Sequence, residues 1–156
     1  MINSILNRLH DAGLSLPEPP RPGGHYLPWL RHGRLLYLAG VISSRNGQVI
    51  KGRLGEDMTV QQGADAAREC ALLQLAVLQQ ALVSLENVSQ IVSLNGYVRC
   101  TPDFCDPPLV INGASELFVQ LYGDHGRHAR AAIGVASLPA GAAVEVQMIV
   151  EVHARP

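Results

Sequence analysis

The chain has 156 residues, 47% of them hydrophobic and 16% charged, and a formal net charge of -1. This is the make-up of one globular domain with its own core, not of a disordered tail. Lys51 is the only lysine, and no basic stripe runs through the sequence, so a nucleic-acid partner is not expected.

At the N-terminus, Ile2, Ile5, Leu6 and Leu9 recur at the spacing of one helical face, which Gly13 ends. The first ten residues hold no sustained apolar run, so neither a secretion signal nor a membrane span is expected there. The stretch Leu16-Pro17-Glu18-Pro19-Pro20-Arg21-Pro22-Gly23-Gly24 cannot propagate regular structure. Residues 1–23 therefore read as a helix and connector appended to a domain of residues 24–156. Next, Tyr26–Arg31 and Leu35–Ala39 flank His32-Gly33 as the strands of a hairpin. Asn46-Gly47 marks a second tight turn before a short Val49-Ile50 strand.

Thr59 with Gln62 forms a capping box at the start of a long helix. Its stripe runs through Val60, Ala64, Ala67, Ala71, Leu75, Leu78, Leu82 and Leu85, small at first and leucine-rich later. Such a helix lies along a sheet, with the alanines where backbones come closest. From Ile91 to Cys100 the pattern alternates, placing Val92, Leu94, Gly96 and Val98 on one face of a strand. Asp106 caps a second helix that starts with Pro107 and stops at Gly123. Ala129–Ala136 and Ala143–His153 are the last two strands. The order of elements gives an α+β domain with two helices covering one face of a sheet.

Cys70, Cys100 and Cys105 show no metal or redox spacing. They are expected to be reduced thiols, which suits a cytoplasmic location. His125 and His128 near Asp124 do not form a recognised ligand pattern, so no metal is expected. Neither a hydrolase elbow around Ser43, Ser44 or Ser137 nor a phosphate-binding glycine loop is present.

The last strand is the most informative. Val144, Val146, Met148, Val150 and Val152 point one way, under the helices. Ala143, Glu145, Gln147, Ile149 and Glu151 point the other way and mix carboxylates with apolar groups. On the strand before it, Arg130 shares a face with Ala132, Gly134 and Ala136, a shallow floor under one cation. Two helices cover only one side of such a sheet. A mixed polar and apolar second side suits an interface between copies of the chain better than a solvated surface.

His128-Ala129-Arg130-Ala131-Ala132-Ile133-Gly134-Val135-Ala136-Ser137-Leu138-Pro139 resembles the Pro-Ala-Arg-Ser-x-Val-x-Val-x-x-Leu-Pro signature of the Rid/YjgF family, also known under the label endoribonuclease L-PSP. Glu145 stands at the family's glutamate in the last strand, Tyr26 at the tyrosine of its Gly-Pro-Tyr start, Gly40 at the glycine of its Ser-Gly-Gln turn, and Asn112 at its second-helix asparagine. The likeness covers roughly residues 24–154. It implies a chorismate-mutase-like fold with a mixed sheet of about six strands, assembled as a homotrimer with clefts between subunits. It also implies hydrolysis of small 2-imino or enamine acids to 2-oxo acids and ammonia, with no metal or organic cofactor. This sequence departs from the pattern at Gln147, where the family has a second glutamate, at Ala39-Gly40-Val41 in place of Ser-Gly-Gln, and around Ser115, where it has an aromatic. The N-terminal helix and the Cys105-Asp106-Pro107-Pro108 segment are additions, and these features place the chain in a divergent subgroup.

Within that resemblance Arg130 would hold a substrate carboxylate through two parallel charge-assisted hydrogen bonds. The competing role is a structural ion pair with Glu145 or Glu151. Glu145 would take a proton from the attacking water and return it to nitrogen; its competing role is an interface salt bridge. The backbone at Ala132 and Gly40 would orient the substrate. Tyr26 would close the cleft or bind the carboxylate, or else simply pack. Asn112 reads as a helix or interface hydrogen-bonding residue. The alternative function for the same cleft is sensing a small carboxylate metabolite without turnover.

Overall fold

The structure, a computed structural model, describes residues 4–154. In chain order the elements are α1 (Ile5–Asp11), β1 (Trp29–His32), β2 (Leu35–Leu38), β3 (Val41–Ile42), β4 (Ser44–Arg45), β5 (Gln48–Val49), α2 (Val60–Leu82), β6 (Val88–Arg99), α3 (Pro107–Tyr122), β7 (Ala129–Val135) and β8 (Val144–Val152). Six strands make one mixed sheet in the order β1-β2-β8-β6-β7, with β3 also paired to β8. Only β6 and β7 run parallel. A parallel pair needs a long crossover, and α3 supplies it. The expected α+β architecture is therefore present.

The capping box at Thr59 forms in both directions: the Gln62 N–H donates to the Thr59 hydroxyl at 3.1 Å, and the Thr59 N–H donates to Gln62 Oε1 at 2.9 Å. The small end of α2 also meets α3. A Cβ on Gly113 would collide with the backbone of Ala64, so only glycine permits this approach of the two helices. Between β4 and β5 the turn residues Asn46 and Gly47 have φ of 51° and 77°, the left-handed pair that a two-residue hairpin requires.

Several local expectations shift. The first hairpin turns at Gly33-Arg34, because His32 and Leu35 still pair, and β1 begins only at Trp29. An irregularity in β6 between Ile91 and Ser93 puts Ile91, not Val92, on the buried face with Leu94 and Val98. Asp106 stands at the N-cap of α3, but its side chain makes no capping bond. In α1, Ile5 and Leu9 are buried in the main core while Leu6 is exposed; Ile2 lies outside the described residues. The helix is tied down at two points: the Ile5 N–H donates to Glu86 Oε1 at 2.7 Å, and Arg8 donates to the Leu121 carbonyl at 2.5 Å.

The alternation of β8 is as expected. Val144, Val146, Met148, Val150 and Val152 are all buried beneath the helices, and Glu145, Gln147, Ile149 and Glu151 lie half-buried on the other face. That second face also carries Leu30, Tyr37 and Ile133, which are 59%, 40% and 49% exposed. No helix of the described residues is long and apolar enough to cross a membrane.

Candidate functional site

The six expected site residues fall into two groups. Tyr26, Gly40 and Glu145 come together at the β2 to β3 connection and the start of β8. A Cβ on Gly40 would lie 3.2 Å from Cδ of Glu145, so glycine leaves room for the carboxylate. The carboxylate borders two hollows. One is a shallow groove on the uncovered sheet face, lined by Tyr26, Leu27, Tyr97 and Gln147 among others. The other is a deeper pocket of about 230 Å³ whose wall includes Pro22, Pro28, Val41, Val77 and Pro139. Glu145 has no cationic partner among the described residues, since the ion pairs are Arg34–Glu151, Arg45–Glu69, Arg53–Glu56 and Arg127–Asp124. Burial alone holds its carboxyl above the usual glutamate value. An unpaired carboxylate of raised proton affinity beside a hollow is the form a general base takes.

Gln74 builds this corner. It is fully buried on α2, and its Nε2 donates to the carbonyls of Ala39 and Val146, each at 2.9 Å. It thereby ties the segment that carries Gly40 to the strand that carries Glu145. The sequence does hold the signal, an amide in the middle of the run Leu72-Leu73-Gln74-Leu75. The Tyr26 hydroxyl accepts the Gly23 N–H at 3.1 Å, a local bond that closes the bend at the end of the connector.

Arg130, Asn112 and Ala132 form the second group. Arg130 Nη1 donates to Asn112 Oδ1 at 2.8 Å and to Ser115 Oγ at 3.2 Å, and Nη2 to the Pro108 carbonyl at 3.4 Å. Ser115 Oγ lies 2.9 Å from His128 Nε2, and His128 Nδ1 lies 2.7 Å from the Gly126 carbonyl. These bonds assign the tautomer: Nδ1–H donates to Gly126, Nε2 accepts from Ser115, and the Ser115 oxygen accepts from Arg130. Burial lowers the His128 pKa, outweighing the Gly126 bond, and the nearby Arg130 charge pushes the same way, so the ring stays neutral. Asn112 and Ser115 thus aim an exposed guanidinium that makes no ion pair with Glu145 or Glu151. Neither Ser115 nor His128 was legible as part of the site.

The two groups do not meet within one chain. Arg130 pairs with Leu94, which pairs with Met148, on the helix-covered face; Glu145 pairs with Tyr97, which pairs with Ile133, on the uncovered face. Three residues along the strands and two strand spacings separate them, roughly 14 Å between Cα atoms, with side chains on opposite faces. β7, which carries Arg130, is one of the sheet's edge strands, and Ala129, Ala131 and Gly134, with Ala136 just beyond it, leave its surface low and exposed.

No group of three His, Cys, Asp or Glu side chains able to hold a metal ion occurs among the described residues, and all three cysteines are free thiols. Cys70 is fully buried, and desolvation, with Glu145 and Glu69 adding to it, pushes its thiol far up. Ser43 is buried and structural: its hydroxyl donates to the Ile50 carbonyl at 2.9 Å and accepts the Val144 N–H at 3.3 Å.

This sheet, its two covering helices and the arginine and glutamate on its last strands define a class. Residues 6–152 match the family described as "YjgF/chorismate_mutase-like, putative endoribonuclease", and the chain belongs to that family. A solved structure of a "putative endoribonuclease" from Shewanella oneidensis has a TM-score of 0.93 at 32% identity, covering 96% of this chain and 100% of that one. Protein TCP17 of Trypanosoma cruzi is 40% identical over 151 residues, 96% of this chain and 94% of its own length. A 2-iminobutanoate/2-iminopropanoate deaminase of Dermatophagoides farinae is 28% identical over 142 residues, 90% of this chain and 95% of its own.

Proposed function

We propose that the protein hydrolyses small 2-imino or enamine acids to 2-oxo acids and ammonia, without a cofactor, in clefts between the subunits of a homotrimer. The observation that carries this reading is the unpaired, half-buried Glu145 carboxylate beside two hollows, with its proton affinity raised by burial. Arg130 of one copy binds the substrate carboxylate, and Glu145 of the next copy faces the imine carbon. Glu145 takes a proton from water as the oxygen bonds to C2 of the protonated imine, which gives a carbinolamine. It then returns that proton to nitrogen and takes up the hydroxyl proton as the C–N bond breaks, which leaves the 2-oxo acid and releases ammonia, to which the proton finally passes. The separation of the two groups within one chain, the low edge of β7 and the apolar side chains on the uncovered face all favour assembly. The family and the D. farinae relative favour the reaction class.

The test generates 2-iminobutanoate in situ and follows release of the 2-oxo acid. Acceleration by the wild type, lost by about a hundredfold or more in Arg130→Ala and in Glu145→Gln, supports the reading. No acceleration, or equal acceleration by both variants, overturns it. The second reading, a carboxylate sensor, is favoured by Gln147, whose Oε1 accepts from Asn95 Nδ2 at 3.4 Å in the place of a second carboxylate. Tight binding of 2-oxo acids in calorimetry with no turnover of imines selects it.

A further inference from the structure

Carboxylate capture and water activation need Arg130, Glu145 and the shallow groove. They do not need the deeper pocket behind Glu145, which the connector walls in. Pro20, Arg21, Pro22 and Gly23 line it, together with Val41 and Val77 from the domain. Two local bonds shape the connector's end: the Tyr26 hydroxyl accepts the Gly23 N–H at 3.1 Å, and the Tyr26 N–H donates to the Gly24 carbonyl at 3.0 Å. Its prolines restrict the backbone, so little freedom is lost in keeping it in place. The wall is mainly apolar, and Arg21, which also borders it, is exposed, so its charge stays in water.

From this enclosure, and resting on the deaminase reading above, we infer that the pocket receives the substrate's side chain and selects 2-imino acids with apolar side chains of about four to seven carbons. An apolar cavity of roughly 150 Å³ takes a benzene ring; this one, at about 230 Å³, takes an isobutyl or benzyl group. A one-carbon side chain would leave it filled with poorly bonded water. The connector is thus a specificity element, with Pro22 in its wall.

Two measurements on the full-length protein test this. The first compares deamination of imines generated in situ from alanine, leucine and phenylalanine. The second is calorimetric binding of pyruvate, 4-methyl-2-oxopentanoate and 2-oxoglutarate, which needs no turnover. Three further buried carbons predict binding of 4-methyl-2-oxopentanoate about fiftyfold tighter than pyruvate. Pro22→Asp, on an exposed connector, should remove most of that preference while the circular dichroism spectrum stays that of the wild type. Deamination with the alanine-derived imine preferred overturns the inference while leaving the deaminase reading intact. No deamination, but the fiftyfold preference in binding, sinks the catalytic reading and keeps the pocket's role. Equal affinities, preference for 2-oxoglutarate, no binding at all, or a preference untouched by Pro22→Asp each overturn the inference.

Discussion

On β8, Val144, Val146, Met148, Val150 and Val152 are sealed beneath the helices, while Glu145, Gln147, Ile149 and Glu151, one residue out of step, stay half-buried on the opposite face. Along β8 the covered face is filled from within the chain, by α2 and the bridging amide of Gln74. The other face is unfinished. It mixes exposed Leu30, Tyr37 and Ile133 with the Glu145 carboxylate, which has no counter-ion among the described residues. Packing on the first face sets the fold; chemistry becomes available where packing leaves groups unsatisfied, at Glu145 on the second face and at the exposed Arg130 guanidinium on β7, at the margin of the first.

The sharpest way to break this contrast is to place one charge on each face. Val146→Asp should leave no folded chain, since an unpaired buried carboxylate costs several kcal/mol and a domain has little more to spare. Gln147→Asp, one residue on, should shift stability by about 0.5 kcal/mol or less in chemical denaturation. Next in size is Ile133→Asp on the uncovered face. It should keep the native circular dichroism spectrum yet sediment as a monomer, whereas the wild type is expected to sediment as a trimer. A smaller effect is expected at the arginine. Ser115→Ala removes one bond to the guanidinium and should raise KM for imine hydrolysis about tenfold with little change in kcat.

Smallest is the pH effect at Glu145. Burial holds its folded pKa above the ordinary 4.5. A raised acid contributes stability that is present below the unfolded value and lost as pH rises through the folded one. The wild type should therefore fall below Glu145→Gln in melting temperature between acidic and neutral pH. The gap should be on the order of 2 °C or less, because the half-exposed group is partly screened by water. Activity, by contrast, should fall as acid protonates the base, with a midpoint above the usual glutamate range.

Features governed by short-range chemistry were legible in the sequence. The Thr59 capping box, the Asn46-Gly47 turn, the stop at Gly123 and the two faces of β8 each depend on residues a few positions apart. Features set by packing were not. The irregularity in β6 that exchanges Val92 for Ile91 leaves no mark in the alternation. The parallel register of β7 against β6 turns Arg130 toward α3, where Asn112 and Ser115 receive it, and strand pattern alone cannot choose that face. The proline connector reads as a spacer until its residues 20–23 are seen to line a pocket with Val41, Val77 and Glu145. Gln74 stood in plain view among leucines, but its two carbonyl partners lie 35 and 72 residues away.

The most direct trial of the whole account mixes two inactive proteins. Arg130→Ala and Glu145→Gln chains, unfolded together and refolded in equal amounts, should regain imine hydrolysis at about a quarter of the wild-type sites, because a cleft formed between copies then finds both native groups by chance. A mixture as inactive as either variant alone would place both groups' work within a single chain and contradict the shared cleft.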